Sequence, residues 1–201
     1  MTEKNLALVR HLGVDGAGAY EFPIAVPPQA EASIADRVGD RAFAVLNPGG
    51  GWWTKLWPAA SFGQLADRIY DEHGFESLVT FGPGEEPLAR EVASASARGR
   101  ATPFPCTLLE FVALSRRARL VVSGDTGPLH LAAAVGAPIV GIFGPTSPLR
   151  NGPFDPRDRT VGRQDLPCRT DCYRRTCDHW ECMEIPVETV QRVVAARLQS
   201  S

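Results

Sequence analysis

Four short apolar runs punctuate the chain, and each gives way to a loop that carries glycine. They occupy residues 42–46, 77–81, 120–122 and 139–143. Each is apolar or β-branched at successive positions and reads as a buried strand. Between them the spacing of apolar residues changes to that of helices. Phe62, Leu65, Ala66 and Ile69 share one face, behind a Ser61–Gln64 capping box. Residues 87–97 read as the next helix, and 103–106 hold a short strand. Thr107 with Glu110 forms a second capping box, opening a helix to about Ala118. Pro128 suits a first helical turn, and residues 129–135 form a small-residue helix closed by Gly136, with Pro138 beyond. Val187, Val190, Val194 and Leu198 make the stripe of a terminal helix after Pro186. Two further helices, over 5–12 and 29–38, precede the first strand, separated by a loop with one short extended piece. Strand, glycine-bearing loop and helix thus recur about four times. That order predicts an α/β fold with a doubly wound parallel sheet of Rossmann-like type. Its loops gather at the carboxyl ends of the strands, where such sheets bind ligands.

Three of those loops carry candidate chemistry. The first runs Asn47-Pro48-Gly49-Gly50-Gly51 and on to Thr54 and Lys55. Its glycines, Gly50 and Gly51 among them, let the backbone approach a ligand closely. Lys55 offers a mobile cation, although the order Thr54-Lys55-Leu56 is not that of a P-loop. The plainer alternative is a turn with an exposed lysine. The second loop sets Glu85 just past a strand end, placed to accept a ribose hydroxyl or simply to complement a helix dipole. In the third, Asp125 caps the helix, while Thr126 and Gly127 turn N–H and O–H groups toward a phosphate at its positive end. His130 lies one turn in, facing the same end; its plainer role is that of a hydrogen-bonded core residue. Together the loops describe one picture: a pyrophosphate on the Gly127 helix end, Lys55 over it and a ribose at Glu85. Charge-assisted contacts of this kind contribute about 1.5–3 kcal/mol each. No Asp-x-Asp pair occurs to carry a divalent metal, so the helix dipole and Lys55 have to neutralise the phosphates.

Composition narrows the partners. The 201 residues suffice for one α/β domain and its core. With 21 Lys and Arg against 23 Asp and Glu, net charge is −2, which argues against broad nucleic-acid binding. The N-terminus lacks an apolar leader, and the longest apolar stretch is broken by Gly136 and Pro138. The chain therefore reads as soluble and cytoplasmic. Cys168, Cys172, Cys177 and Cys182 crowd one segment, with His179 among them. That spacing permits a structural zinc but does not require one; free thiols and disulfides stay open beside it.

At this point the residues resemble a known family. NPGGGWWTKLWP, FGPGE, VVSGDTGPLHLAAAVGAPIVGIFGPT and ECMEIPVETV are similar, in that order, to the C-terminal half of the bacterial lipopolysaccharide heptosyltransferases, glycosyltransferase family 9. The resemblance implies a GT-B architecture of two Rossmann-like domains, with the active site in the cleft between them. It implies inverting transfer of a heptose from ADP-heptose to a growing lipopolysaccharide core, with no required cofactor. Residues 1–40 match the interdomain connection and leading helix. Residues 41–201 match the nucleotide-sugar-binding domain, with a Cys-rich loop over 166–184. Thr54 and Lys55 match positions that contact the donor phosphates, Glu85 the acid that holds the adenosine ribose, and Asp125, Thr126, Gly127 and His130 the diphosphate and sugar motif. The acceptor site and the carboxylate general base belong to the family's N-terminal domain, which this sequence does not include. The expectation is therefore a donor-binding half that binds nucleotide and transfers little sugar by itself, with peripheral membrane association in the full enzyme. A nucleotide-binding or partner-binding module without transferase activity is the alternative, and a different GT-B sugar enzyme a third.

Overall fold

The computed structural model describes residues 2–14, 21–169, 172 and 174–200. Six parallel strands form one sheet: β1 Phe43–Asn47, β2 Glu76–Phe81, β3 Ala101–Pro105, β4 Leu120–Gly124, β5 Ile139–Ile142 and β6 Arg159–Val161. Their order is β3-β2-β1-β4-β5-β6. The chain moves outward from β1 to β3, then returns to start again at β4 beside β1, with Ala44 opposite Leu120. The loops after β1 and β4 therefore flank the point where strand order reverses, and a crevice opens there.

Successive residues of the central strands supply opposite faces of the sheet. Ala44 and Leu46 of β1, with Leu120 and Val122 of β4, pack against α3 (Ala59–His73), α4 (Glu86–Ala95) and α8 (Val187–Gln199). Phe43, Val45 and Val121 pack instead against α2 (Pro28–Val38), α5 (Leu108–Arg117) and α6 (Gly127–Ala134). Both faces are covered, which is why the strands read as unbroken apolar runs. The remaining helices are α1 (Thr2–His11) and the single turn α7 (Pro148–Asn151). The early loop expected over 13–28 lies partly outside the described residues.

Local details depart from expectation where a proline or an edge intervenes. The Ser61–Gln64 capping box does not form. α3 begins at Ala59 behind Pro58, whose fixed φ of −54° starts the helix early and leaves Ser61 inside it. The Thr107–Glu110 box does form, with both reciprocal bonds. β3 starts at Ala101, two residues before the expected run. β6 had no apolar run to mark it, because it is a three-residue edge strand beginning with Arg. Beneath it Arg197 and Asp158, 3% and 2% exposed at their side chains, form a buried ion pair of 2.9 Å. The same Asp158 oxygen accepts the Ile139 N–H, fixing the start of β5. Burial pushes the Asp158 carboxyl up, against the Ile139 N–H and Arg197 that favour its charged form. Among the described residues no helix is long and apolar enough to cross a membrane.

Candidate functional site

The carboxyl ends of the strands bring the three loops together. β1 ends at Asn47, whose amide donates to the Thr80 hydroxyl of β2 at 3.2 Å and whose carbonyl accepts from Ser123 of β4 at 3.5 Å. This buried polar row ties three adjacent strands just beneath the loops. Above it lies a cavity of about 980 Å³, lined by Gly49–Gly51, Gly82–Glu86, the start of α5, and Thr126 and Gly127.

Glu85 spans two of the loops. One carboxylate oxygen accepts the Gly50 N–H at 3.0 Å and the other the Gly82 N–H at 2.8 Å. Gly49 is glycine for a visible reason: a Cβ there would lie 2.3 Å from the Glu85 carboxylate. At Gly50 a Cβ would meet the Thr126 methyl at 2.8 Å, so the first and third loops touch. Gly51 faces open space. Each carboxylate oxygen retains a lone pair for a further donor.

Just before Thr126, and not itself among the residues lining this cavity, Asp125 gathers the polar groups. The expectation that it caps α6 is not met. β4 runs on to Gly124, α6 starts at Gly127, and the N-cap is Thr126, which makes no side-chain cap. One residue too early to cap, Asp125 turns its carboxylate to Lys55 Nζ at 2.7 Å, Thr146 Oγ1 at 2.6 Å and Asn151 Nδ2 at 3.2 Å. His130 Nε2 stands 3.7 Å from its other oxygen, so His130 reaches the site while half exposed, not buried in the core. Burial opposes the charge on Asp125, but His130, Lys55 and Thr146 outweigh it and hold the carboxyl well below the usual range.

Lys55 is correspondingly not the mobile cation its loop suggested. Its ammonium bonds the Asp125 carboxylate and the Asp125 carbonyl, and lies 4.5 Å from the Trp52 ring centroid. An ammonium has three donors, so one is left for a ligand. Thr54 is buried, and its hydroxyl donates to the Arg174 carbonyl at 3.0 Å. It ties the loop to the Cys-rich segment. The first turn of α6 offers backbone N–H groups without a side-chain cap, next to Lys55 and the cavity. A helix end of this kind favours an anion.

Thr146 and Asn151 escaped the reading of sequence as partners of Asp125. Thr146 closes the Phe-Gly-Pro-Thr stretch, the one signal that pointed near it; Asn151 sits in a one-turn helix with no local signal.

The structural zinc envisaged at Cys168, Cys172, Cys177 and Cys182 is not supported. All four are free thiols that line one cavity of about 290 Å³ with His179. Among the described residues no three or more His, Cys, Asp or Glu side chains converge on a metal-holding position. Thr54, Pro145 and Trp180 share the walls of that cavity. Part of the Cys-rich loop, residues 170, 171 and 173, lies outside the described residues.

The doubly wound parallel sheet with helices on both faces is the Rossmann-like fold of GT-B glycosyltransferases. The family model of glycosyltransferase family 9 (heptosyltransferase) matches residues 1–180, and the chain belongs to that family. It is 32% identical over 149 residues to lipopolysaccharide heptosyltransferase 1 of Pseudomonas aeruginosa, covering 73% of this chain and 40% of that protein. Its fold is similar to that of glycosyltransferase family 9 from Veillonella parvula, with a TM-score of 0.82 at 20% identity over 99% of this chain and 60% of the other. It is also similar to E. coli ADP-heptose lps heptosyltransferase II, with a TM-score of 0.74 at 18% identity over 94% and 56% of the two chains. The chain thus spans about half the length of these relatives.

Proposed function

We propose that this chain, within residues 41–201, is the donor-binding part of an inverting heptosyltransferase that uses an ADP-heptose-like nucleotide sugar in lipopolysaccharide core synthesis. Residues 1–40 would connect it to an acceptor-binding part that supplies the general base, in a cytoplasmic enzyme working at the membrane face. The observation that supports the reading is that Glu85 and the uncapped start of α6 line one cavity at the carboxyl ends of the strands, with the Lys55–Asp125 pair formed one residue before the α6 N-cap Thr126. The nucleoside would lie on the β2–β3 side, its ribose hydroxyls at Glu85 with Gly50 and Gly51 beneath. The diphosphate would take the N–H groups beside Thr126 and Gly127 and the spare donor of Lys55. His130 would face the sugar, and Thr54 would act indirectly by holding the Lys55 turn.

In this arrangement the negative charge that develops on the leaving diphosphate meets N–H donors and an ammonium already in place. That is the basis for a metal-independent reaction. Asp125 is saturated by donors and held ionised, which suits a group that fixes Lys55 and His130 and does not suit a base that must take a proton. The chain alone would bind nucleotide and transfer little or no sugar.

Calorimetric titration with ADP and with adenosine, in buffer containing a chelator, tests this. ADP should bind without divalent metal, and Lys55→Ala should weaken ADP at least fivefold more than adenosine. No heat at millimolar ADP, or equal weakening of both ligands, would reject the donor site.

A further inference from the structure

The Cys-rich cavity shares residues with both supports of the Lys55–Asp125 pair. One wall holds Thr54, the neighbour of Lys55, whose hydroxyl donates to the Arg174 carbonyl at 3.0 Å. Another holds Pro145, next to Thr146, whose hydroxyl donates to Asp125 at 2.6 Å. Two of the thiols lining the same cavity, Cys177 and Cys182, are half-buried and free. The donor reading uses neither.

Their surroundings differ. Cys182 is anchored, because Met183 beside it is fully buried in the core. A Cβ at Gly144 would collide with the Met183 sulfur and lie 3.3 Å from the Cys182 sulfur. Burial, with the neighbouring Cys172 and Cys177 thiols, pushes the Cys182 thiol up. Cys177 lies in the loop ahead of the Glu181–Met183 turn, and its sulfur accepts the Trp180 N–H at 3.4 Å. Between the two cysteines Trp180 holds a left-handed backbone at φ 34°, unfavourable for a bulky residue. Its buried indole N–H has no acceptor among the described residues. Backbone strain and an unmet donor in one residue mark a segment whose present arrangement is not its only favourable one.

We infer that Cys177 and Cys182 form a reversible disulfide by exchange with a small disulfide such as oxidised glutathione, and that closing it loosens the Lys55 turn. One protein thiolate attacks the small disulfide, forming a mixed disulfide and releasing one small thiolate. The second attacks the protein sulfur of the mixed disulfide and releases the other. Two protein thiols are oxidised, one small disulfide is reduced, and the two protons pass to the leaving thiolates. A disulfide needs its Cβ atoms about 3.5–4.5 Å apart, so the cavity between the thiols has to close. Met183 and Gly144 hold Cys182, so Cys177 makes the movement, and Arg174 three residues ahead is drawn with it. That draws the Arg174 carbonyl from Thr54, and Trp180 from Trp53, whose rings stand 5.4 Å apart at the start of the turn. Cytosolic disulfides of mesophiles are usually transient and redox-sensing in this way. The effect on ADP rests on the donor reading; the disulfide itself does not.

The test uses the 201-residue chain, either kept reduced or incubated with millimolar oxidised glutathione. Alkylation and peptide mass mapping should show two thiols lost and joined as Cys177–Cys182, and dithiothreitol should restore both. Tryptophan fluorescence should shift on oxidation and return on reduction. By calorimetry the oxidised chain should bind ADP at least fivefold more weakly than the reduced chain. Cys177→Ser should bind ADP within twofold of the reduced parent with or without oxidised glutathione. Cys168→Ala with Cys172→Ala should keep the whole response, since the pair is intact. Thiols that all stay alkylatable, a mixed disulfide that goes no further, or a disulfide mapped to other cysteines would overturn the inference. So would an ADP Kd unchanged within twofold on oxidation. If the reduced chain binds no ADP, the donor reading falls by itself; the thiol map and the fluorescence shift then decide the disulfide and the movement of the turn.

Discussion

Asp125→Asn replaces an anion by an amide of the same shape where the loops converge. It leaves the Lys55 ammonium, only 15% exposed, facing a neutral group. Removing one partner of a buried pair costs about 3–5 kcal/mol. Because the lysine retains some access to water, and Thr146 and Asn151 can still bond an amide oxygen, the lower end applies, about 3 kcal/mol. In a chain of this size that lowers the Tm by about 6–12 °C. Lys55→Met should cost less, about 1–3 kcal/mol, since Thr146 and Asn151 continue to hold the carboxylate. The double variant should then be more stable than additivity predicts, with a coupling of about 1–3 kcal/mol. The pH dependence has a fixed sign. The carboxyl of Asp125 is depressed in the folded chain, so its stabilisation is complete above the ordinary carboxylate range and is lost as pH falls toward the folded value. The gap between parent and Asp125→Asn should stay constant from about pH 7 to 5 and shrink below about pH 4. Urea unfolding followed by tryptophan fluorescence across that range measures all of this. A variant within 1 kcal/mol of the parent, coupling under about 0.5 kcal/mol, or a gap that widens on acidification would refute the reasoning.

Gly49→Ala should separate binding from folding: its methyl displaces the flexible Glu85 carboxylate, so adenosine should bind about tenfold more weakly while stability falls by less than about 1.5 kcal/mol, read by calorimetry and thermal melting. Gly63→Ala should do the reverse, since its Cβ meets the backbone of Ala95 and the Val92 carbonyl at 2.6 Å between α3 and α4; urea unfolding should show a loss of about 1–3 kcal/mol. Arg197→Met strands the buried Asp158 and should cost about 3–5 kcal/mol, with the Asp158→Asn, Arg197→Met pair milder than the sum of its parts in the same measurement.

What sequence conveyed here was what local pattern encodes. β1, β2, β4 and β5 were legible because both faces of each are covered, and the Thr107–Glu110 box because its two bonds are three residues apart. Gly136, which takes φ 75° after α6, was legible as a helix terminator. The polar network was not. Asp125 meets Lys55, Thr146 and Asn151 across 70, 21 and 26 residues of chain. A capping residue and an ion-pairing residue look alike in sequence; a one-residue difference in where α6 starts decided between them. Thr54 shows the same limit, since its partner is a carbonyl 120 residues away.

On the proposed donor reading, the Lys55–Asp125 pair also changes how the site would attract a dianion. An unpaired lysine would draw phosphate by charge alone, over the Debye length of about 8 Å in physiological salt. Here the ammonium is nearly neutralised by a carboxylate 2.7 Å away, so little net positive charge projects from the pair. Attraction then falls to groups that act at hydrogen-bond range: the uncapped N–H groups of α6 and the remaining donor of Lys55. These donors are fixed before any ligand arrives, by Asp125 and Trp52 on one side and by the Thr54–Arg174 bond on the other. Little ordering cost remains at binding, and the contacts can strengthen as charge builds on the leaving phosphate.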